Sequence, residues 1–350
     1  MRKAAFVVAA GLLISTAVGC SRLHTRVTHH NTAHPTIAFD VYDMTSFITL
    51  GKDGVDREAQ ALGAKILWRS ASNDVATQAN QIETLISQRV DAIVIAPVDA
   101  ATLEPQIKDA RHAGIPVFIT NLLLREPAFG LTKGYVGPDD VLAGEQETEA
   151  MAGFLHGHGN VVLLQGPLGS SGEEDRTKGV HNVLKRNPGM HLLSQQTANW
   201  DRAQAYNLMS NWMQAFGKKI DGVIAENDDM AIGANQALAT KGLSGKMPLV
   251  GIDGIQDGMK MVQNGKIWES NLQNAPLELG EGLAVAVRAI RGQPYPKEAL
   301  LKMPKLTKQN VDDLYDQLYV HRDQYFRDLP ELIKRNIDEG QYGRQTLSLP

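Results

Sequence analysis

One order of strands and helices occurs twice along the 350 residues of this chain. The matching runs are VDAIVIAPVDAATL (90–103) with IDGVIAENDDMAIG (220–233), and IPVFITN (115–121) with MPLVGID (247–253). Their spacings agree, since Asp91 precedes Pro116 by 25 residues and Asp221 precedes Pro248 by 27. Each half reads β-α-β-α-β-α-β, with short β-branched runs between amphipathic segments. The sequence therefore predicts an α/β protein made of two similar doubly wound parallel-sheet lobes.

Polar and aromatic side chains stand at the carboxyl ends of the predicted strands. Ligands of open parallel sheets bind at the carboxyl ends of the strands, so these side chains are the candidate site. The first half supplies Asp43, Thr45, Phe47 and Asn121, and the second half supplies Arg176, Trp200, Asn227 and Asp253. Asn121 and Asp253 stand at equivalent strand ends of the two copies. A cleft between the lobes, lined by amides, acids, an arginine and aromatics, would suit a small ligand.

The first residues have the composition of an export signal. Arg2 and Lys3 form a basic region, residues 4–18 are apolar, and Gly19 precedes Cys20, the one cysteine of the chain. The site resembles the lipobox of bacterial lipoproteins, which predicts cleavage after residue 19 and lipidation of Cys20, although Ala17 stands where leucine is usual. A plain secretory signal with an incidental cysteine is the alternative. With one cysteine, no disulfide can form within the chain.

The charge balance argues against nucleic acid as a partner. The formal net charge is -4, which leaves no basic surplus for a phosphate backbone. After the signal, no run approaches the roughly 20 apolar residues of a membrane span.

Four motifs together resemble one protein family. They are NWDR (199–202), AENDDMAIGA (225–234), VGIDGIQDG (250–258), and LQG (164–166) followed by DRTKG (175–179). In this order they resemble the type I periplasmic sugar-binding proteins, the ribose- and galactose-binding group that serves ABC importers. The resemblance runs from about residue 36 to residue 310. It implies two lobes joined by a three-strand hinge and closure around one small ligand.

The resemblance also assigns roles to residues. It implies that Phe47 and Trp200 cover the faces of a sugar ring and that Thr45 lies in the loop that carries Phe47. It places Asn121 and Leu122 where the ribose group has an Asp-Arg pair, which puts ribose itself in doubt. The remaining implied ligand residues are Arg176, Asn227, Asp253, and Asn274 as the hinge amide.

These residue types suit a polyol on chemical grounds. A hydroxyl group both donates and accepts hydrogen bonds, so Asp253 and Arg176 side by side can satisfy one hydroxyl in both senses. Aromatic rings suit the apolar C–H face of a sugar.

Other interpretations of the same motifs are weaker. The acidic run 226–229 lacks the alternating oxygens and the glycine turn of a calcium loop, and Asp228 or Asp229 at a helix start is ordinarily a cap. GPLGSSG (166–172) lacks the Gly-Lys-Ser/Thr ending of a phosphate loop. For Arg176 the alternative is a surface salt bridge with Glu173 or Glu174. No metal and no cofactor are expected.

The sequence thus predicts a monomeric extracytoplasmic binding protein, anchored to a membrane by lipid, that passes a monosaccharide or polyol to an ABC permease. A sensor subunit that docks on a receptor or histidine kinase is the alternative. A repressor would need a DNA-binding head where this chain has its export signal. A glycan-acting enzyme would need paired carboxylates, for which Asp43 and Asp253 are candidates, but no nucleophile with its base is recognisable.

The expected organisation follows the resemblance. It comprises a signal peptide (1–19), a tether (20–35), an N-terminal lobe (36–138 plus 275–302), a C-terminal lobe (139–274 plus 303–312) and a C-terminal helical extension (313–350). The tail from Leu306 is expected to be an amphipathic helix broken near Pro330, with Tyr315, Leu318, Tyr319 and Tyr325 docked on the body.

Overall fold

The computed structural model describes residues 33–345. The predicted signal peptide, Cys20 and most of the tether lie outside the described residues, as do 346–350. Within the described part, no helix is long and apolar enough to cross a membrane.

The strands of residues 33–345 form two parallel sheets and a small antiparallel one. In chain order they are β1 (Thr36–Val41), β2 (Lys65–Ser70), β3 (Ala92–Ala96), β4 (Val117–Thr120), β5 (Gly134–Pro138), β6 (His158–Gln165), β7 (Gly189–Thr197), β8 (Gly222–Ala225), β9 (Leu249–Val250), β10 (Ser270–Asn271), β11 (Glu298–Leu301) and β12 (Lys305–Leu306). One parallel sheet has the order β11-β5-β4-β3-β1-β2, and the other has the order β7-β6-β8-β9. The predicted α/β class with two parallel sheets is confirmed.

Helices cover these sheets. They are α1 (Ser46–Leu62), α2 (Val75–Ser87), α3 (Glu104–His112), α4 (Asp140–Phe154), α5 (Ser171–Arg186), α6 (Arg202–Phe216), α7 (Asp228–Ala239), α8 (Gln256–Gln263), α9 (Ala275–Ile290), α10 (Val311–Tyr315) and α11 (Arg322–Glu339), with a π-helical segment, Asp316–Val320, between the last two. We call the sheet of β1 with α1, α2, α3 and α9 the first lobe, and the sheet of β6 with α4 to α8 the second lobe.

The chain passes between the lobes three times within the described residues. It leaves the first sheet after β5, returns from β10 into α9, and leaves again between β11 and β12. β10 and β12 pair antiparallel, so two of the passages are hydrogen-bonded to each other. This small sheet forms the hinge region.

Side-chain caps fix where several helices begin. The side chains of Thr45, Asn227 and Asn274 each accept the backbone N–H three residues ahead, which satisfies a donor that the helix leaves unpaired. Asp228 and Asp229 stand in the first turn of α7, as the sequence predicted, but the cap is Asn227. Three predicted ligand residues therefore have a second, local role.

The two lobes touch across their facing edges. The contacts are the backbone N–H of Ala100 to the carbonyl of Gly169 (2.9 Å), the backbone N–H of Leu123 to the hydroxyl of Ser171 (2.6 Å), and Arg125 to Glu174 and Asp175 (2.9 Å each). These contacts join loops of the first lobe to the start of α5 in the second. The arrangement is therefore closed.

The predicted break near Pro330 is wrong. α11 runs through Pro330, which has no N–H to donate to the carbonyl of Phe326 four residues earlier. The guanidinium of Arg57, on α1, donates to that carbonyl at 2.7 Å and so replaces the missing bond. The irregularity lies earlier, in the π-helical segment. The predicted docking of the tail is confirmed, since Leu318 and Tyr325 are buried.

Candidate ligand-binding site

The guanidinium of Arg176 lies at the centre of a buried polar cluster. It projects from α5 and is 4% exposed. Its Nε donates to Asp140 at 2.8 Å, one Nη donates to the backbone carbonyl of Glu226, and the other donates to Oε1 of Gln273 at 2.9 Å. Burial opposes the charge, but Asp140 and Asp253 outweigh it and raise the pKa of Arg176. Arg176 is a fixed, oriented positive charge.

This geometry decides between the two interpretations of Arg176. Its ion pair is with Asp140, the first residue of α4, and not with Glu173 or Glu174. Glu174 instead pairs with Arg125 of the first lobe. The surface salt bridge is excluded.

A chain of hydrogen bonds joins Arg176 to the first lobe. Nε2 of Gln273 donates to one carboxylate oxygen of Glu278, on α9, at 2.9 Å. The side chain of Asn121 donates to the other oxygen at 2.9 Å. All these groups are buried, and burial raises the pKa of Glu278 to about 7, against the opposite effect of its two amide donors. Asn121 of the first lobe is therefore connected to Arg176 of the second lobe through Glu278 and Gln273.

Asp253 borders the same cluster. It follows β9, is 4% exposed, and has a φ of 130°, outside the range that side chains favour. Its Oδ2 is buried and has no hydrogen-bond partner among residues 33–345. Burial and the negative charge of Asp228 raise the pKa of Asp253 well above its ordinary value, although Arg176 acts in the opposite direction. A buried acceptor left unpaired costs about 1–3 kcal/mol, so a hydroxyl that donated to it would be held firmly.

Trp200 closes the other side of Arg176. The backbone of both Asn199 and Trp200 is left-handed, with φ of 55° and 57°, and this turns the indole against Gly166. A Cβ on Gly166 would overlap the ring, so glycine is required there. The ring centroid lies 5.4 Å from the guanidinium carbon of Arg176, within range of a cation–π contact. Strained backbone concentrated at strand ends is typical of functional sites.

Comparison with known proteins agrees with this geometry. Residues 37–294 match the family model described as a periplasmic binding protein domain. The chain belongs to the periplasmic binding protein family. The resemblance predicted from the motifs, to the sugar-binding group of ABC importers, is confirmed.

Three similar proteins illustrate the relationship. A xylitol-binding protein of Mycolicibacterium smegmatis is 46% identical over 87% of this chain and 86% of its own length. A putative rhizopine-binding protein of Rhizobium meliloti is 33% identical over 89% of this chain and 98% of its own length. The structure of an ABC transporter solute binding protein from Bacillus halodurans with bound myo-inositol superimposes with a TM-score of 0.77 at 29% identity, covering 83% of this chain and 99% of that one.

The acidic run of this binding protein divides by role. Asn227 uses Oδ1 as the cap of α7 and lies, 5% exposed, at the end of β8. Asp228 accepts from the backbone N–H groups of Gly254 and Ile255. Glu226, whose role the sequence left open, accepts from the backbone of Gly166 and from Thr177. The run holds the loops on either side of it in place.

In the first lobe, the predicted residues are less concentrated. Phe47 is buried in the second position of α1, and the Thr45 hydroxyl lies 3.4 Å from that of Tyr42. Asp43 is half-buried and accepts from Asn73 and from the backbone of residue 44. The structure therefore does not bring Asp43 into the cluster around Arg176.

The predicted hinge amide, Asn274, stands next to a second amide, Gln273. Asn274 has its Oδ1 bonded to Tyr325 and its Nδ2 bonded to Gln345, both from the C-terminal extension. Gln273 makes the contacts to Arg176 and Glu278 instead. The sequence also did not single out Asp140 or Tyr42. Burial, and in part the negative charge of Asp253, raise the pKa of Tyr42. Polar residues that start helices at the strand ends were the available signal for Asp140 and Glu278.

In the described residues, no group of three or more histidine, cysteine or acidic side chains lies together as a metal would require.

Proposed function

We propose that this chain captures a small neutral polyol, xylitol or one of similar size, by closing its two lobes, and delivers it to the permease of an ABC importer. The carrying observation is the buried, unpaired Oδ2 of Asp253 beside the oriented guanidinium of Arg176. A hydroxyl between them would donate to the carboxylate and accept from a neighbouring donor. The proposed ligand contacts are Phe47, Asn121, Arg176, Trp200, Asn227, Asp253, Gln273 and the hinge amide Asn274, with Thr45 and Asp43 supporting the loop that carries Phe47.

The charges of the cluster favour a neutral ligand. Arg176 is already paired with Asp140, while Asp253 and Glu278 add further carboxyl groups to the same buried region. A phosphate or carboxylate ligand would bring another negative charge into this acidic surrounding at a large desolvation cost. Sugar phosphates and sugar acids are therefore expected to be excluded.

Three features support a polyol over ribose. Leu122, 4% exposed, stands where the ribose group has an arginine. The relatives named above are described as binding xylitol and, in the solved structure, myo-inositol. The hydrogen-bonding groups in the first lobe are amide, hydroxyl and carboxyl groups, which suit hydroxyls along a polyol chain.

The permease is favoured over a sensor kinase as the docking partner because the solved relative is described as an ABC transporter component. Family membership implies an extracytoplasmic location. We further propose that the signal 1–19 is removed, that Cys20 is lipidated and that the mature protein is a monomer that binds without catalysis. Cys20→Ser, expressed in a lipoprotein-processing bacterium, should appear in the soluble extracytoplasmic fraction, whereas the parent protein should stay with membranes.

We also propose that the lobes 36–138 plus 275–302 and 139–274 plus 303–312 move as two bodies, with 313–350 as an extension.

Isothermal titration calorimetry tests the ligand. The panel comprises xylitol, other pentitols, myo-inositol, ribose, and a sugar phosphate as the anionic control. We expect at least one polyol to bind and the sugar phosphate not to bind. Tighter binding of ribose than of every polyol would overturn the polyol assignment, and no binding of any of them would overturn the function.

A further inference from the structure

The C-terminal extension is attached to both lobes. On the second-lobe side, Asp312 of α10 accepts from Gln263 of α8 at 2.9 Å. On the first-lobe side, Asn336 of α11 donates to Glu281 of α9 at 2.8 Å, and Phe326 accepts from Arg57 of α1 at 2.7 Å. A segment fixed at its two ends to two moving bodies must bend or detach when they separate.

The extension touches the residues that directly follow two cleft residues. The hydroxyl of Tyr319 donates to the carbonyl of Gly254 at 2.9 Å, next to Asp253. The hydroxyl of Tyr325 donates to Oδ1 of Asn274 at 2.9 Å, next to Gln273. Tyr319 thus holds the backbone beside Asp253, and Tyr325 holds the side chain beside Gln273, so both fix positions next to groups of the ligand site.

This junction is closely packed. Gly254, Asn274, Tyr319 and Tyr325 border a partly open pocket whose interior volume of about 10 Å³ holds no more than one water molecule. Tyr325 is 8% exposed, and the π-helical segment that carries Tyr319 lies between the two attached ends. π-helical turns often mark functional positions, and this one is where the extension passes from one lobe to the other.

We propose that the segment Val311–Gln345 is a clasp across the hinge that stabilises the closed arrangement, with Tyr319 and Tyr325 as positioning residues for Asp253 and Gln273. Its effect on ligand release rests on the proposed binding function, whereas its effect on lobe opening does not. The bonds described above are formed while the lobes touch, through contacts such as Leu123 to Ser171. Tyr319 anchors the clasp to the second lobe and Tyr325 anchors it at the start of α9, so the loss of either anchor should loosen the clasp and favour the open arrangement.

The variants Tyr319→Phe and Tyr325→Phe remove one hydroxyl each and keep the ring. The matched control is Tyr315→Phe, because Tyr315 is in the same extension but its hydroxyl bonds to Gln256 in an exposed contact, where water can replace the lost partner. Stopped-flow measurement with the tightest polyol of the panel should show dissociation faster by about 2- to 12-fold in each test variant, the factor that one ordinary hydrogen bond represents. Association rates and the control should stay at the parent values.

A ligand-free measurement separates this proposal from the proposed function. Small-angle scattering of the unliganded proteins should give a larger radius of gyration for Tyr319→Phe with Tyr325→Phe combined than for the parent or the control. If the parent protein binds no polyol, the comparison of radii of gyration still tests whether the extension stabilises the closed arrangement. Equal radii of gyration for the double variant and the parent would overturn the clasp proposal. If the proteins bind polyol, dissociation rates of the single variants equal to that of the parent would also overturn it.

Discussion

Asp228 accepts a hydrogen bond from the backbone N–H of Gly254 across 2.8 Å, and this bond fixes the residue that follows Asp253. The same carboxylate accepts from Ile255 at 3.2 Å and from the hydroxyl of Ser270 at 2.8 Å. Asp228 is fully buried. It therefore ties the start of α7 to the loop after β9 and to the hinge strand β10.

Asp228→Ala should both destabilise the protein and weaken ligand binding. Three buried donors would lose their acceptor, and each unpaired buried group costs about 1–3 kcal/mol. The matched control is Asp229→Ala, because its partner Arg202 is 36% exposed, keeps its second ion pair with Asp257 and can be hydrated when Asp229 is removed. Differential scanning calorimetry and titration of the same samples check this. Melting of Asp228→Ala at the parent temperature would contradict it.

Asp253→Asn should weaken binding without lowering the melting temperature of the ligand-free protein. The substitution replaces a carboxyl group, which can accept at both oxygens, with an amide that accepts at one, at a cost of about 1–3 kcal/mol, or about 5- to 150-fold in Kd. The Oδ2 atom that it replaces has no partner among the described residues, so the unliganded fold loses no hydrogen bond at that atom, and Asp140 still pairs with Arg176. Asp109→Asn is the control, since Asp109 is exposed on α3 and has no role in the proposed site. A lower melting temperature for Asp253→Asn would show that the carboxylate supports the fold instead.

The position of the site was predictable from sequence because parallel sheets bring strand ends to one edge. Arg176, Trp200 and Asp253 each follow or flank a strand whose apolar run is easily recognised, and the structure places all three in one region. The partners that orient them were not predictable. Glu226, for example, bonds to Gly166, 60 residues away in sequence, and only the fold brings the two together.

The sequence did not single out Gln273 beside Asn274, and the reason is local. Regular pairing of β10 covers only Ser270 and Asn271, so the alternation that tells one face of a strand from the other ends before these amides. The four strands predicted for the first half end with 115–121, so β5 was not predicted; its five residues, Gly134–Pro138, include two glycines and a proline, which mask the strand pattern. Pro330 was misjudged because the compensating donor, Arg57, is remote in sequence.

Arg176→Lys should lower affinity by at least about tenfold although the charge is kept. A lysine cannot reproduce three directed bonds from one planar group, so Asp140 or Gln273 would lose its partner in a buried site. Arg125→Lys is the matched control, because Arg125 also joins the lobes but is 36% exposed, and its pairs should matter little. Calorimetric titration with the best polyol decides. Equal losses in the two variants would mean that Arg176 acts only as a charge.

The stability of the ligand-free protein should fall as the pH rises from about 5 to about 8. Burial raises the pKa of Glu226, Glu58 and Glu281 to about 8, so the folded state retains protons that the unfolded chain has released above a pH of about 4.5. Because the folded state binds more protons throughout this interval, the free energy of unfolding decreases with pH. In Glu281→Gln the side chain still accepts from Asn336 but no longer titrates. The free energy of unfolding of this variant should therefore decrease less steeply with pH than that of the parent.

The control for this dependence is Asp338→Asn. Hydrogen bonds from Lys334 and Arg288 lower the pKa of Asp338 below its ordinary value, so its contribution to stability is lost only as the pH falls through that lower value. Asp338→Asn should therefore leave the slope between pH 5 and 8 at the parent value. Urea unfolding at intervals of pH measures all three proteins. Parallel curves for the parent and Glu281→Gln would show that Glu281 is ionised in the folded state, with the buried carboxylate stabilised by its surroundings.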